Sequence, residues 1–80
     1  MANNIVGERV RLARRINASQ KLSQSELAAK LQLDNWHISR GGIAKIEAGV
    51  RRVTDVEVKK LAKVLGVSTS WLLGESDDHR

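Results

Sequence analysis

Leu22 to Gly49 reads LSQSELAAKLQLDNWHISRGGIAKIEAG, and the fold is decided there. Each half opens the same way: an apolar residue, then a Ser, then another apolar residue four positions after the Ser, as Leu22, Ser23 and Leu27 and again as Ile38, Ser39 and Ile43. A Ser in that place accepts from a free amide of the first helical turn, and the two apolar residues staple the entering chain to the helix. In the first half Glu26 completes a capping box with Ser23. Gly49 stands just past the last apolar residue of the second half, where a left-handed residue ends a helix. Two short helices therefore follow one another across the polar connection at Asp34 to His37.

The same signals recur outward along the chain. A first helix is predicted over about residues 4–17, with Val6, Val10, Ala13 and Asn17 on one side and Arg9, Arg11, Arg14 and Arg15 over the rest. Thr54 with Glu57, and Val53 with Val58, start a fourth helix whose apolar face is Val58, Leu61, Ala62 and Leu65, and Gly66 stops it. Ser68 caps a short fifth helix, stapled by Val67 and Leu72 and carrying Trp71, Leu72 and Leu73. The one competing pattern is the β-branched run from Val50 to Val58, which suggests a strand, but its alternation fails at Arg51-Arg52 and Thr54 signals a helix. The predicted class is all-α, with five helices in one domain over residues 1–74 and a polar, disordered tail over 75–80.

Eighty residues remove a modest share of their unfolded surface from water, so the core is small and self-association is expected to help it. Fourteen Lys and Arg against nine Asp and Glu give a net charge of +5, and the isoelectric point is near 10.3. Residues 1–63 carry +7 and residues 64–80 carry −2, so the surplus belongs to the folded body. A basic body attracts polyanions, and a pair of short helices within one is the arrangement that sets a helix into the major groove of double-stranded DNA. Charge alone does not separate DNA from RNA or an anionic membrane surface.

The chain resembles the phage-repressor and Cro-type, or xenobiotic-response-element, family of helix-turn-helix regulators. The resemblance rests on Val6-Gly7-Glu8-Arg9-Val10-Arg11, on Leu22-Ser23-Gln24 with Glu26-Leu27-Ala28-Ala29-Lys30-Leu31, on Ile43-Ala44-Lys45-Ile46-Glu47-Ala48-Gly49, and on Leu61 to Ser68 with Trp71-Leu72-Leu73. It implies a lambda-repressor-like domain whose third helix reads DNA, usually as a homodimer. Two departures stand out. The connection between the second and third helices is longer than the family's usual turn, and Gln32 occupies the place of a turn Gly. A longer turn is expected to remove the need for a residue at positive φ. A milder lengthening falls around residues 17–20.

The resemblance also implies roles for single residues. Arg40, Gly41, Ala44 and Lys45 align with base-contacting positions, and a guanidinium at Arg40 suits O6 and N7 of a guanine. Ser23 and Gln24, at the start of the second helix, suit a phosphate, assisted by Lys21, and Arg51 and Arg52 suit the backbone on the other side of the groove. The blander reading of each cation is a solvated side chain. Arg14 and Glu47 align with a structural ion pair joining the first and third helices. Gly41 and Gly42 weaken the first turn of the third helix. Either their missing side chains let the backbone approach DNA, or the turn tightens on binding, or the pair belongs to the connection and the helix starts at Ile43. Trp71 is assigned to the core or a dimer seam, and Trp36 to covering the core or to a contact with a partner or DNA backbone.

Other classes find little support. With no Cys, and only His37 and His79 as imidazoles, the chain offers no metal site, and no cofactor is implied. There is no nucleophile with a base, no phosphate-cradling glycine loop and no paired carboxylates in an apolar pocket, so no enzyme is read. No apolar run is long enough to span a membrane and no secretory leader is visible, so a cytoplasmic location is expected. The rival to a transcriptional repressor is a protein-interaction module such as the antitoxin that binds a toxin.

Overall fold

A computed structural model describes residues 2–16 and 21–78, and the helical position expected for Asn17, the lengthening at 17–20, and His79 all lie outside the described residues. Five helices follow in order: α1 (Gly7–Ile16), α2 (Gln24–Leu33), α3 (Arg40–Glu47), α4 (Asp55–Leu65) and α5 (Thr69–Leu72). No strand forms among the described residues. In the Val50 to Val58 run, residues 50–54 are instead a link that ends at the Thr54 cap, and residues 55–58 already belong to α4.

The cap chemistry explains the boundaries. Ser23 Oγ accepts from the amide of Glu26 at 3.0 Å while the Ser23 amide donates to Glu26 Oε1 at 2.9 Å. Thr54 and Glu57 repeat this exchange at 3.2 and 3.0 Å. Ser39 accepts from the Gly42 amide at 3.1 Å, so α3 begins at Arg40 and both glycines lie inside its first turn, which removes the alternative start at Ile43. Ser68 caps α5 on Trp71 at 3.1 Å.

The first helix starts later than its apolar spacing suggests. Asn4 Oδ1 accepts from the amides of Val6 and Gly7 at 3.1 and 2.8 Å, which makes an Asn-led turn ahead of α1. The same side chain's Nδ2 is drawn across to carbonyls of α3 and the link beyond it, so residues 2–5 stay out of the helix.

The longer turn keeps a residue at positive φ, contrary to the expectation from Gln32. It has moved to Asn35, at φ 64°. The Trp36 amide donates to Leu31 O at 3.0 Å and the Asn35 amide to Gln32 O at 3.1 Å, the paired bonds that close a helix on a left-handed residue. Asn bears that conformation better than other L-residues because its short polar side chain bonds locally. Gly49, at φ 77°, closes α3 in the same way through Val50 to Lys45 O at 2.9 Å and its own amide to Ile46 O at 3.0 Å.

Packing follows the amphipathic faces. Val10, Leu27, Leu31, Ile43, Ile46, Leu61 and Leu72 are fully buried in one cluster, and α4 contributes the face of Val58, Leu61, Ala62 and Leu65. Each large side chain so placed contributes about 1.5–3 kcal/mol relative to exposure. Trp71 belongs to this core, with the guanidinium of Arg9 4.7 Å from its ring centroid. Trp36 is half-buried against the same cluster from the long turn. Arg9 also donates to Ser76 O at 3.1 Å, laying the first residues of the tail along α1.

Candidate nucleic-acid interface

One helix presents a face that the core does not use. On α3, Ile43 and Ile46 point inward, whereas Arg40, Gly41, Lys45 and Ala48 are exposed and Ala44 is half-exposed. At 3.6 residues per turn Arg40 and Lys45 stand about 140° apart, with Gly41, Ala44 and Ala48 between them. The exposed strip therefore has a cation on each border and small side chains along its middle. Neither the Arg40 nor the Lys45 side chain makes a hydrogen bond or ion pair with another described residue.

The orientation of α3 is fixed at its far end by α1. Arg14 Nε donates to Glu47 Oε2 at 2.7 Å and Nη2 to Oε1 at 2.8 Å, while Nη1 donates to Leu22 O at 2.8 Å. The side chains of Arg14 and Glu47 are 12% and 6% exposed, which shields the pair from solvent screening. Hydrogen bonding to Glu47 holds the Arg14 guanidinium above its ordinary pKa, outweighing burial.

A second tie was invisible in the sequence. Asn4 Nδ2 donates to Ile46 O at 3.1 Å and to Arg51 O at 2.7 Å, the Asn3 amide donates to Gly49 O at 2.7 Å, and Asn3 Nδ2 donates to Val50 O at 2.7 Å. These donors meet the carbonyl of Ile46 in the last turn of α3 and those of Gly49, Val50 and Arg51 just beyond it. Gly7 lets α1 come this close, because a Cβ there would stand 2.2 Å from Ile46 O. The only signal in the sequence was an Asn-Asn pair ahead of a Gly, which has no local spacing rule.

The residues assigned to phosphate are in different states. Lys21 and Arg52 are exposed, and neither side chain pairs with another described residue. Ser23 Oγ and the Ser23 amide are both occupied in its capping box, and Gln24 Nε2 donates to Glu47 Oε1 at 3.2 Å, so what these positions offer is the first-turn amide of Gln24 more than either side chain.

Arg51 is committed elsewhere. Nη1 and Nη2 bind Glu57 Oε1 and Oε2 at 3.1 and 3.2 Å, and the guanidinium lies 5.5 Å from the Trp36 ring centroid. Burial would raise the Glu57 pKa, but hydrogen bonds from Arg51 and the Thr54 amide, with the Arg51 charge, bring it below the usual carboxylate range. Arg51 thus clamps the long turn to the start of α4, and of the two arginines Arg52 is the one left to solvent.

Gly42 has a structural cause and Gly41 has none among the described residues. A Cβ at Gly42 would lie 2.6 Å from Ile38 Cγ1, the staple residue, whereas one at Gly41 would meet only Ser39 Oγ at 3.7 Å. No group of three or more His, Cys, Asp or Glu side chains is placed to hold a metal ion among the described residues, and no helix among them is long and apolar enough to cross a membrane.

Residues 11–72 match the family model described as Helix-turn-helix, of Cro/C1 type. The chain belongs to the Cro/C1-type helix-turn-helix family. No curated protein and no solved structure matches it. As a Cro/C1-type protein it is an all-helical DNA-binding regulator. The two helices of the motif are α2 and α3, and the longer turn between them is accommodated by the Asn35 stop, the Trp36 cover and the Arg51 clamp.

Proposed function

We propose that the protein is a sequence-specific repressor that binds a two-fold symmetric operator as a homodimer in the cytoplasm. The observation that carries this reading is the outward strip of α3, with Arg40 and Lys45 bordering Gly41, Ala44 and Ala48. Arg40 bridges a guanine edge, Lys45 reads a second base, and Ala44 and Gly41 let the helix sit close to the base edges. Lys21, Arg52 and the first-turn amide of Gln24, presented by the Ser23 cap, hold phosphates and fix the register. Arg14 and Glu47 set the tilt of α3 without touching DNA.

One short helix reads only a few base pairs, so two copies on half-sites about one helical turn, roughly 34 Å, apart supply the specificity. Occupation of a promoter by the paired helices is the regulatory act in this reading. Selection of sites from random duplexes by the wild type, Arg40→Ala and Lys45→Ala tests the reading. Each variant is expected to relax preference at a different position of the half-site. If both variants keep the wild-type preference, α3 is not the reader.

A further inference from the structure

Beside the exposed strip of α3 lies an open hollow of about 360 Å³, walled by Arg11 and Arg15 of α1, Gln24 of α2, and Ala44 and Ala48 of α3. Its base is the Arg14–Glu47 pair. Both Glu47 oxygens are occupied there, Oε2 by Arg14 Nε and Oε1 by Arg14 Nη2 and Gln24 Nε2. The Glu47 charge is therefore matched by Arg14, and three of its roughly four acceptor sites are filled.

Arg11 and Arg15 are exposed, one turn apart on the same side of α1, and neither makes an ion pair or hydrogen bond with another described residue. Glu8, the other carboxylate near them, lies in the adjoining hollow with both arginines and is paired with neither. Two guanidinium groups without a partner among the described residues thus overlook a polar trough whose α3 wall is Ala44 and Ala48 around Glu47. No side-chain bond among the described residues uses them.

We propose that this trough is a phosphate site: Arg11 and Arg15 hold the sugar-phosphate backbone of the DNA strand that borders the major groove on the α1 side. The inference rests on α3 being the reading helix. The major groove is about 12 Å wide, so a helix lying in it has a backbone along each edge. Lys45 stands on the border of the strip away from the trough and Arg52 follows on the link to α4, whereas Arg11 and Arg15 line the trough on the α1 border. Small side chains at Ala44 and Ala48 leave the path to Arg11 and Arg15 open. A guanidinium matches two phosphate oxygens, and an unpaired one sheds no protein partner on binding.

The test measures affinity against salt concentration for the wild type, Arg11→Gln/Arg15→Gln and Arg11→Lys/Arg15→Lys, each on the selected operator and on a random duplex. In the Gln variant the log–log slope is expected to fall by about 2 per protomer. Operator and random duplex lose the same factor, so base preference is unchanged, whereas Arg40→Ala changes preference. The Lys variant keeps the charge and retains the wild-type slope. Both variants melt with the wild type, since neither arginine bonds within the described fold. A Gln variant with the wild-type slope overturns the trough while leaving α3 as the reader. A Gln variant with altered base preference overturns a backbone role. A wild type that binds duplex DNA without salt dependence overturns both this inference and the reading beneath it.

Discussion

Gly41 and Gly42 are neighbours in the first turn of α3, and replacing each by Ala separates what the fold requires from what it does not. Ala in place of Gly within a helix stabilises by about 0.5–1 kcal/mol, because the unfolded chain loses freedom and the helix loses none. At Gly41 the added methyl meets only Ser39 Oγ at 3.7 Å, an ordinary contact, so that gain is kept. For a domain of this size it corresponds to a rise in Tm of about 2–8 °C. At Gly42 the same methyl stands 2.6 Å from Ile38 Cγ1 and 3.0 Å from its Cδ1. Cγ1 is close to the Ile38 backbone and cannot swing clear without unseating the staple. Such overpacking costs about 1–3 kcal/mol, and the two variants differ by that amount because their helix-propensity gains cancel. Thermal and urea unfolding of both variants gives the difference directly. In an Ile38→Ala background, where the clash is gone, Gly42→Ala becomes stabilising. Equal shifts for the two substitutions, or a difference that survives Ile38→Ala, refute the reasoning. A duplex-binding titration adds the functional half: Gly41→Ala loses affinity while gaining stability if the strip of α3 lies against base edges.

Arg14→Ala leaves the Glu47 carboxylate, 6% exposed, without its main partner and lowers stability by about 2–4 kcal/mol, whereas Arg14→Met with Glu47→Leu recovers most of the loss; chemical denaturation of the single and double variants checks this, and additive losses contradict it. Asn35→Val forces a β-branched residue to φ 64° and costs about 1–2 kcal/mol, while Asn35→Gly is neutral or stabilising, as read from urea midpoints. Glu57 has its pKa lowered in the folded state, so its contribution is complete above the ordinary Glu value of about 4.3 and disappears as pH falls through the lower folded value; Glu57→Gln flattens stability against pH in that acid window, and an unaltered profile contradicts the clamp. Arg52→Gln weakens duplex binding and its salt dependence more than Arg51→Gln does, because only Arg52 is unpaired among the described residues, and Arg51→Gln instead lowers Tm.

Local signals were legible and tertiary ones were not. Ser23, Ser39, Thr54 and Ser68 cap the helices they were expected to cap, because an N-cap is settled within three residues of chain. The start of α1 was misplaced by three residues for the opposite reason: Asn4 serves carbonyls more than forty positions away, and nothing within its own turn announces that. Arg51 and Arg52 are identical and adjacent, and only the arrival of Trp36 and Glu57 beside one of them distinguishes a clamp from a free cation. The missing turn glycine misled in an instructive way. The family position is filled by Gln32, but the need for a left-handed residue belongs to the helix stop, which moved with the end of α2 to Asn35.

The helix assigned to DNA is over-determined everywhere except on the side it would present. Ser39 and the Ile38–Gly42 contact fix its first turn, Ile43 and Ile46 fix its inner face, and Arg14, Asn3, Asn4 and Gly7 fix its last turn from α1 and the segment before it. Folding therefore accounts for the identity of each residue on three sides of α3. On the fourth side Arg40, Ala44, Lys45 and Ala48 touch nothing that would select them, and Gly41 is held against a propensity cost of about 1 kcal/mol although a methyl group there would fit. A chain selected for stability alone would carry Ala at that position. If α3 is the reading helix, the requirement that keeps Gly41 small lies in the duplex, on the same face as Arg40 and Lys45, where DNA would come closest to the backbone of the helix.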